Sequence, residues 1–73
     1  MRKDVIETIN EVRSNKGLRP ITELHPESSL RSDLEMDSLD LAEFTARIER
    51  KTGIDLFSEG LVSTVGEVLK KLS

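Results

Sequence analysis

One serine set among acidic residues is the part of this 73-residue sequence best suited to chemistry. In Asp37-Ser38-Leu39-Asp40, the first carboxylate can cap a helix by accepting a backbone N–H, and the second can complete a capping box. Ser38 then takes the first helical position, with its side chain directed outward. A phosphate ester formed on this accessible hydroxyl would lie near the N–H groups of the first turn. The pattern therefore indicates a serine that is presented to another protein.

Catalysis by Ser38 on its own is disfavoured. A nucleophilic serine needs a general base within hydrogen-bond reach, and nothing pairs the only histidine, His25 in a loop before Pro26, with Ser38. Asp37 and Asp40 lack an evident cleft that would keep one of them protonated. Cysteine is absent, and the alternating oxygen ligands of a calcium loop are missing. We predict no catalytic residue and no bound metal.

Three amphipathic helices are predicted to position the serine. The first covers residues 3–15, where apolar side chains recur every three or four positions. The second runs from Ser38 to about Thr52, and a capping box of Thr64 and Glu67 opens the third. Strand-type alternation does not persist anywhere in the sequence. We therefore expect an all-α fold.

The segments between these helices predict the rest of the architecture. Residues 18–36 contain prolines and serines that oppose regular structure, while their leucines can anchor a loop to the helices. Residues 54–60 are too short for an ordinary helix and are predicted as a turn or a single helical turn. The expected fold is a small four-helix bundle, three main helices plus one short helix, with a long loop between helices 1 and 2. We expect residues 1–73 to form a single domain.

The second helix has two apolar stripes, and a protein this small can bury only one of them. The larger side chains, Phe44 and Ile48, are the better candidates for the core. The opposite stripe would then form a shallow contact surface beside Ser38, made of Leu39, Ala42 and Ala46 and bordered by Asp40 and Glu43.

Composition limits the classes of partner. The net charge of −3 disfavours a nucleic-acid binder, because neutralising phosphates needs a basic surface. No apolar run approaches the length that spans a membrane. The absence of cysteine favours the cytosol. We expect a cytoplasmic monomer with no nucleic-acid partner and no stable membrane insertion.

The stretch Leu30–Leu41, Leu-Arg-Ser-Asp-Leu-Glu-Met-Asp-Ser-Leu-Asp-Leu, resembles the modification region of acyl carrier proteins. The chain length, the helix order, the long first loop and Thr64-Val65-Gly66-Glu67 resemble that family as well. The resemblance covers nearly the whole chain. Asp-Ser-Leu-Asp is moderately specific alone and highly specific at this position in a chain of this size.

The resemblance implies that Ser38 is the attachment point of 4′-phosphopantetheine. A separate phosphopantetheinyl transferase would move this group from coenzyme A with magnesium, and its thiol would carry acyl groups as thioesters. Acyl-transferring, acyl-ligating or condensing enzymes would dock on a surface that comprises Asp37, Leu39, Asp40, Ala42, Glu43, Ala46 and Arg47. The acyl chain would be sheltered by Phe44, Ile48, Val65 and Leu69.

The sequence departs from the family pattern in three places. Glu35 stands where glycine is common, and Thr52 stands where a large aromatic residue often closes the second helix. Arg47, Arg50 and Lys51 lie in a region that is strongly acidic in carriers of general fatty acid synthesis. A uniformly basic partner would be repelled there. The expectation is a specialised carrier of a lipid, secondary-metabolite or cell-envelope pathway.

Two other functions are compatible with the same residues. An aminoacyl or peptidyl carrier shares the arm and differs in its cargo, although Glu35-Met36-Asp37 does not resemble the glycine-rich approach to the serine of those carriers. Alternatively, the chain is an unmodified helical interaction module, because serine and aspartate are common at helix starts for capping reasons alone. Modification of Ser38 separates this module from either carrier.

Overall fold

The structure is a computed structural model that describes residues 2–58, 60 and 62–72. Its helices are α1 (Arg2–Asn15), α2 (Ser38–Thr52) and α3 (Val65–Leu72). No β-strand is formed by these residues, so the all-α prediction is confirmed. None of the helices in the described ranges is long and apolar enough to cross a bilayer.

Both ends of α2 follow from local residues. The Asp37 carboxylate accepts from the Asp40 N–H at 2.9 Å, and the Asp40 carboxylate accepts from the Asp37 N–H at 3.1 Å. This is the predicted capping box. At the other end, Gly53 takes a left-handed conformation with φ of 78° and donates its N–H to the Glu49 carbonyl at 2.7 Å. The predicted limits of α2 are confirmed.

The core lies between α1, α2 and α3. Phe44 and Ile48 are fully buried, as predicted, and α1 contributes Val5, Ile9 and Val12. Val65 is also buried, while Leu69 packs against this core and stays partly exposed. The remaining buried apolar residues are Leu24, Leu30, Leu34, Met36, Leu41, Leu56, Val62, Val68 and Leu72.

Backbone hydrogen bonds attach the segment between α1 and α2 to the start of α3. The Leu30 N–H donates to the Ser63 carbonyl at 2.9 Å, and the Val65 N–H donates to the Ser28 carbonyl at 3.0 Å. Ser29 and Thr64 form an isolated antiparallel β-bridge between these two bonds. The segment that precedes Ser38 is therefore fixed to the far end of the chain.

The short fourth helix is not found among the described residues. Leu56–Ser58 form a turn, with the Ser58 N–H donating to the Asp55 carbonyl at 3.3 Å. The Asp55 side chain accepts from the Phe57 N–H at 3.0 Å, which favours a tight turn over a continued helix. Position 59 of the predicted element lies outside the described residues. The turn still anchors the chain, because Leu56 is fully buried.

Candidate functional site

Ser38 is the first residue of α2, and its side chain is exposed. Its Oγ accepts a hydrogen bond from Nη2 of Arg31, seven residues earlier, at 3.1 Å. Sequence reasoning placed Ser38 but missed Arg31, because the path of the loop decides which side chain meets the serine. An arginine beside the hydroxyl is a permanent positive charge and a pure donor, so it cannot act as a general base.

Asp40 is tied to the turn that follows α1 as well as to the start of α2. Lys16 Nζ lies 2.7 Å from the Asp40 carboxylate and also donates to the Glu35 carbonyl at 2.6 Å. The pKa of Asp40 is below its ordinary value, first because Lys16 donates to the carboxylate and second because the Asp37 N–H does. The same hydrogen bond raises the pKa of Lys16. The Asp40 side chain is only 13% exposed, so it is oriented toward the protein and offers little surface to a partner.

The turn before the motif keeps a left-handed residue although the sequence has no glycine there. Glu35 has a φ of 59°, whereas Met36 is buried with its N–H bonded to the Leu30 carbonyl at 3.0 Å. The backbone of any residue with a Cβ is strained in this conformation, whereas glycine adopts it freely. The Lys16 bond to the Glu35 carbonyl and the burial of Met36 hold the turn in place. Glu35 therefore occupies a backbone conformation that favours glycine.

The outward stripe of α2 consists of exposed side chains. Leu39 is 79% exposed, which makes it the one large hydrophobic residue so exposed in the described part of the chain. Ala42 and Ala46 follow on the same exposed side, and Asp37 is exposed next to Ser38. The structure thus brings Ser38 and the stripe to one surface. Their role in docking remains a prediction.

The positive side chains in the second half of α2 are partly neutralised within the protein. Arg47 binds Glu43 at 2.8 Å and Glu11 of α1 at 3.0 Å, and Lys51 binds Glu11 at 3.2 Å. Desolvation raises the pKa of Glu11, but the hydrogen bonds from Lys51 and Arg47 outweigh it and leave the pKa below its ordinary value. The pKa of Arg47 is raised, chiefly by its bond to Glu43. The predicted repulsion of basic partners therefore rests mainly on Arg50, which is exposed.

Three of the four residues predicted to shelter an acyl chain belong to the closed core, and the fourth, Leu69, packs against it. Phe44, Ile48 and Val65 are at most 1% exposed, so a chain could pass between them only by displacing core contacts. A cleft of about 220 Å³ is lined by Arg31, the residue that contacts Ser38. Its other lining residues are Leu41, Phe57, Val62 and neighbouring serines. Sequence reasoning did not find this cleft, since it depends on how the turn at Leu56–Ser58 meets the loop.

Comparison with known proteins found a matching family and similar sequences. The family described as "Phosphopantetheine attachment site" matches residues 5–72. An acyl carrier protein of Saccharopolyspora erythraea is 35% identical over 71 residues, which cover 94% of this chain and 75% of that protein. An acyl carrier protein of Rubrobacter xylanophilus is 33% identical over 70 residues, which cover 93% of this chain and 86% of that protein. The search of solved structures found no match.

Proposed function

The chain belongs to the acyl carrier protein family, whose domain carries covalently attached 4′-phosphopantetheine, and we propose that Ser38 is the residue that bears it. The family consists of carriers and not of enzymes. The observation that supports Ser38 is its position, an exposed hydroxyl at the first residue of α2 with a guanidinium 3.1 Å from its oxygen. A phosphate ester carries negative charge, which both the helix start and the guanidinium stabilise. These residues fit the group.

The attachment step requires a base that this chain does not supply at the serine. The Ser38 oxygen forms a bond to the phosphorus of coenzyme A that bears the pantetheine, and the pyrophosphate bond breaks to release adenosine 3′,5′-bisphosphate. The hydroxyl proton must go to an acceptor. Within the described residues the hydrogen-bond partner of Ser38 Oγ is Arg31, which only donates. The acceptor therefore belongs to the transferase, and this chain presents the hydroxyl.

When bound, the arm supplies a thiol that holds acyl groups as thioesters. The chain itself contributes the surface on which partner enzymes dock. The proposed contacts are the apolar Leu39, Ala42 and Ala46, with the exposed carboxylate of Asp37 beside them. Such a surface, small and acidic at its edge, favours fast and salt-sensitive binding to a phosphopantetheinyl transferase and to acyl-transferring, acyl-ligating or condensing enzymes.

We assign the inner residues of the predicted docking set a supporting role. Asp40 is held by Lys16, and Glu43 and Arg47 are paired with one another. Each of these side chains therefore already forms hydrogen bonds within the protein. A specialised lipid, secondary-metabolite or envelope pathway remains our proposal, because the exposed Arg50 would disfavour docking to a uniformly basic partner. Binding to enzymes of general fatty acid synthesis as tight as that of a general carrier would contradict it.

The test of the carrier function is intact-protein mass spectrometry after incubation with coenzyme A, magnesium and a broad-specificity transferase. Wild type should gain one phosphopantetheine, and Ser38→Ala should gain none. Ser32→Ala is a matched control, because it removes another exposed hydroxyl of the preceding loop and should be modified like wild type. A folded wild type without a mass gain, or a Ser38→Ala variant that still gains it, would refute the assignment. The first of these outcomes would favour the unmodified interaction module.

A further inference from the structure

We propose that Arg31 is a phosphate-binding residue that holds the phosphodiester of the arm against the start of α2. The inference rests on the proposed attachment at Ser38. It assigns this chain an anion-binding position within the segment between α1 and α2. A guanidinium is suited to the task because it stays charged and can give two parallel N–H bonds to phosphate oxygens.

The guanidinium of Arg31 is already next to the attachment atom. Arg31 Nη2 already lies 3.1 Å from Ser38 Oγ, the atom to which the phosphorus would be bonded. The free phosphate oxygens are attached to that phosphorus, so they fall within reach of the same guanidinium. Arg31 and Ser38 are both exposed, which leaves room for the group without moving the core. The contact seen with the hydroxyl can thus pass to the phosphate after modification.

The hydrogen bonds that fix the loop keep Arg31 near the serine. Leu30, its neighbour, is fully buried and bonded through its N–H to the Ser63 carbonyl at 2.9 Å. On the other side, the Asp33 carboxylate accepts from the Ser29 N–H at 2.7 Å. Arg31 therefore extends from an anchored backbone, which lowers the entropy lost when its side chain binds a phosphate.

Attachment of the arm also changes the charge at the start of α2. A phosphodiester on Ser38 adds a negative charge beside Asp37 and near Asp40. Lys16 neutralises Asp40, but its ammonium is engaged at 2.7 Å and 2.6 Å with that carboxylate and with the Glu35 carbonyl. Arg31 forms no ion pair with any carboxylate in residues 2–58, 60 and 62–72, so its charge is available to the phosphate.

The experiment compares the apo and modified forms of wild type with those of Arg31→Gln, Arg31→Lys and Arg50→Gln. At position 31, glutamine keeps a donor but removes the charge, and lysine keeps the charge but not the paired N–H groups. Arg50→Gln is the control, because it removes an exposed charge in the last turn of α2, far from Ser38. Two quantities are measured at low salt: the ³¹P resonance of the arm, and the unfolding midpoint of the modified form minus that of the apo form.

We expect Arg31→Gln to shift the ³¹P resonance and to lower the midpoint difference by about 2–4 °C relative to wild type. The ³¹P resonance and midpoint difference of Arg31→Lys should lie between those of wild type and Arg31→Gln, and those of Arg50→Gln should match wild type. The effect should shrink in 1 M salt, because the site is exposed. A modified Arg31→Gln with the wild-type ³¹P resonance and midpoint difference would refute the role of Arg31 while leaving the carrier function intact.

Two further outcomes are also decisive. If wild type itself is not modified, the carrier function fails, and the inference about Arg31 fails with it. If the transferase rejects only Arg31→Gln, the role of Arg31 is tested by NMR on ¹⁵N-labelled wild type, in which the side-chain N–H signals of Arg31 are compared before and after modification. A shift of these signals on modification supports phosphate binding, and unchanged signals refute it.

Discussion

Replacing Glu35 by glycine should stabilise the protein, since this residue occupies a left-handed conformation with φ of 59°. The Glu35 side chain is exposed, so its removal takes little from the core. The hydrogen bond that fixes the turn goes from Lys16 to the backbone carbonyl of Glu35, and glycine retains that carbonyl. The substitution therefore acts almost entirely on backbone strain.

The magnitude follows from two opposing effects. A residue with a Cβ pays about 1–2 kcal/mol in the left-handed region, which glycine avoids. Glycine loses about 0.5–1 kcal/mol more conformational entropy on folding than a residue with a side chain. The net gain in the free energy of unfolding is about 0.5–1 kcal/mol. For a domain of this size, this corresponds to a rise of about 2–8 °C in the unfolding midpoint.

The assay is urea and thermal unfolding followed by far-ultraviolet circular dichroism, because the chain has no tryptophan or tyrosine to give an intrinsic fluorescence signal. Glu35→Ala is the matched control, since it removes the same carboxylate and keeps the Cβ. We expect Glu35→Ala to remain close to wild type and Glu35→Gly to exceed both. Equal stability of the glycine and alanine variants would show that the left-handed turn carries no strain, and the reasoning would be wrong.

Two further predictions concern the fit of α3 and the response to acid. Gly66→Ala should lower the free energy of unfolding by about 1–3 kcal/mol, because a Cβ at Gly66 would lie 2.9 Å from the Pro26 carbonyl oxygen; a urea midpoint at or above that of wild type would contradict this. Since the pKa of Asp40 is lower in the folded state, its contribution is present at neutral pH and is lost as the pH falls below about 4. Asp40→Asn should therefore flatten the fall of the urea midpoint between about pH 5 and 3, and an unchanged acid limb would refute the role of the Lys16 pair.

The helices were predictable because their signals are local. A capping carboxylate, a second acid three residues later and a glycine after the last turn fixed the limits Ser38 and Thr52, and the structure has both. The Thr64/Glu67 box also forms, with the Glu67 N–H donating to Thr64 Oγ1 at 3.2 Å. Local signals were insufficient for residues 54–60, because so short a segment is compatible with either a turn or a short helix. The structure has a turn at Leu56–Ser58.

The contacts around Ser38 were not predictable, because they join segments distant in sequence. Arg31 reaches the serine only because the loop turns back, and Lys16 reaches Asp40 from the turn just after α1. Glu11, one helix away, pairs with both Arg47 and Lys51. The residues of α1 that face α2 depend on the packing of both helices. Periodicity in the sequence predicts the apolar face of each helix, but not which residues of the two helices come into contact.

The bonds between the preceding loop and the start of α3 have a consequence for the order of folding. α1 and α2 each form from neighbouring residues, but the Leu30–Ser63 and Ser28–Val65 pairs join parts of the chain more than thirty residues apart. Closing so long a loop costs entropy before any of these bonds forms. With eight residues, α3 is also too short to persist alone in water. We therefore expect α3 and the loop to form together in a late and cooperative step, so that the backbone at the start of α2 becomes ordered only when the end of the chain is in place.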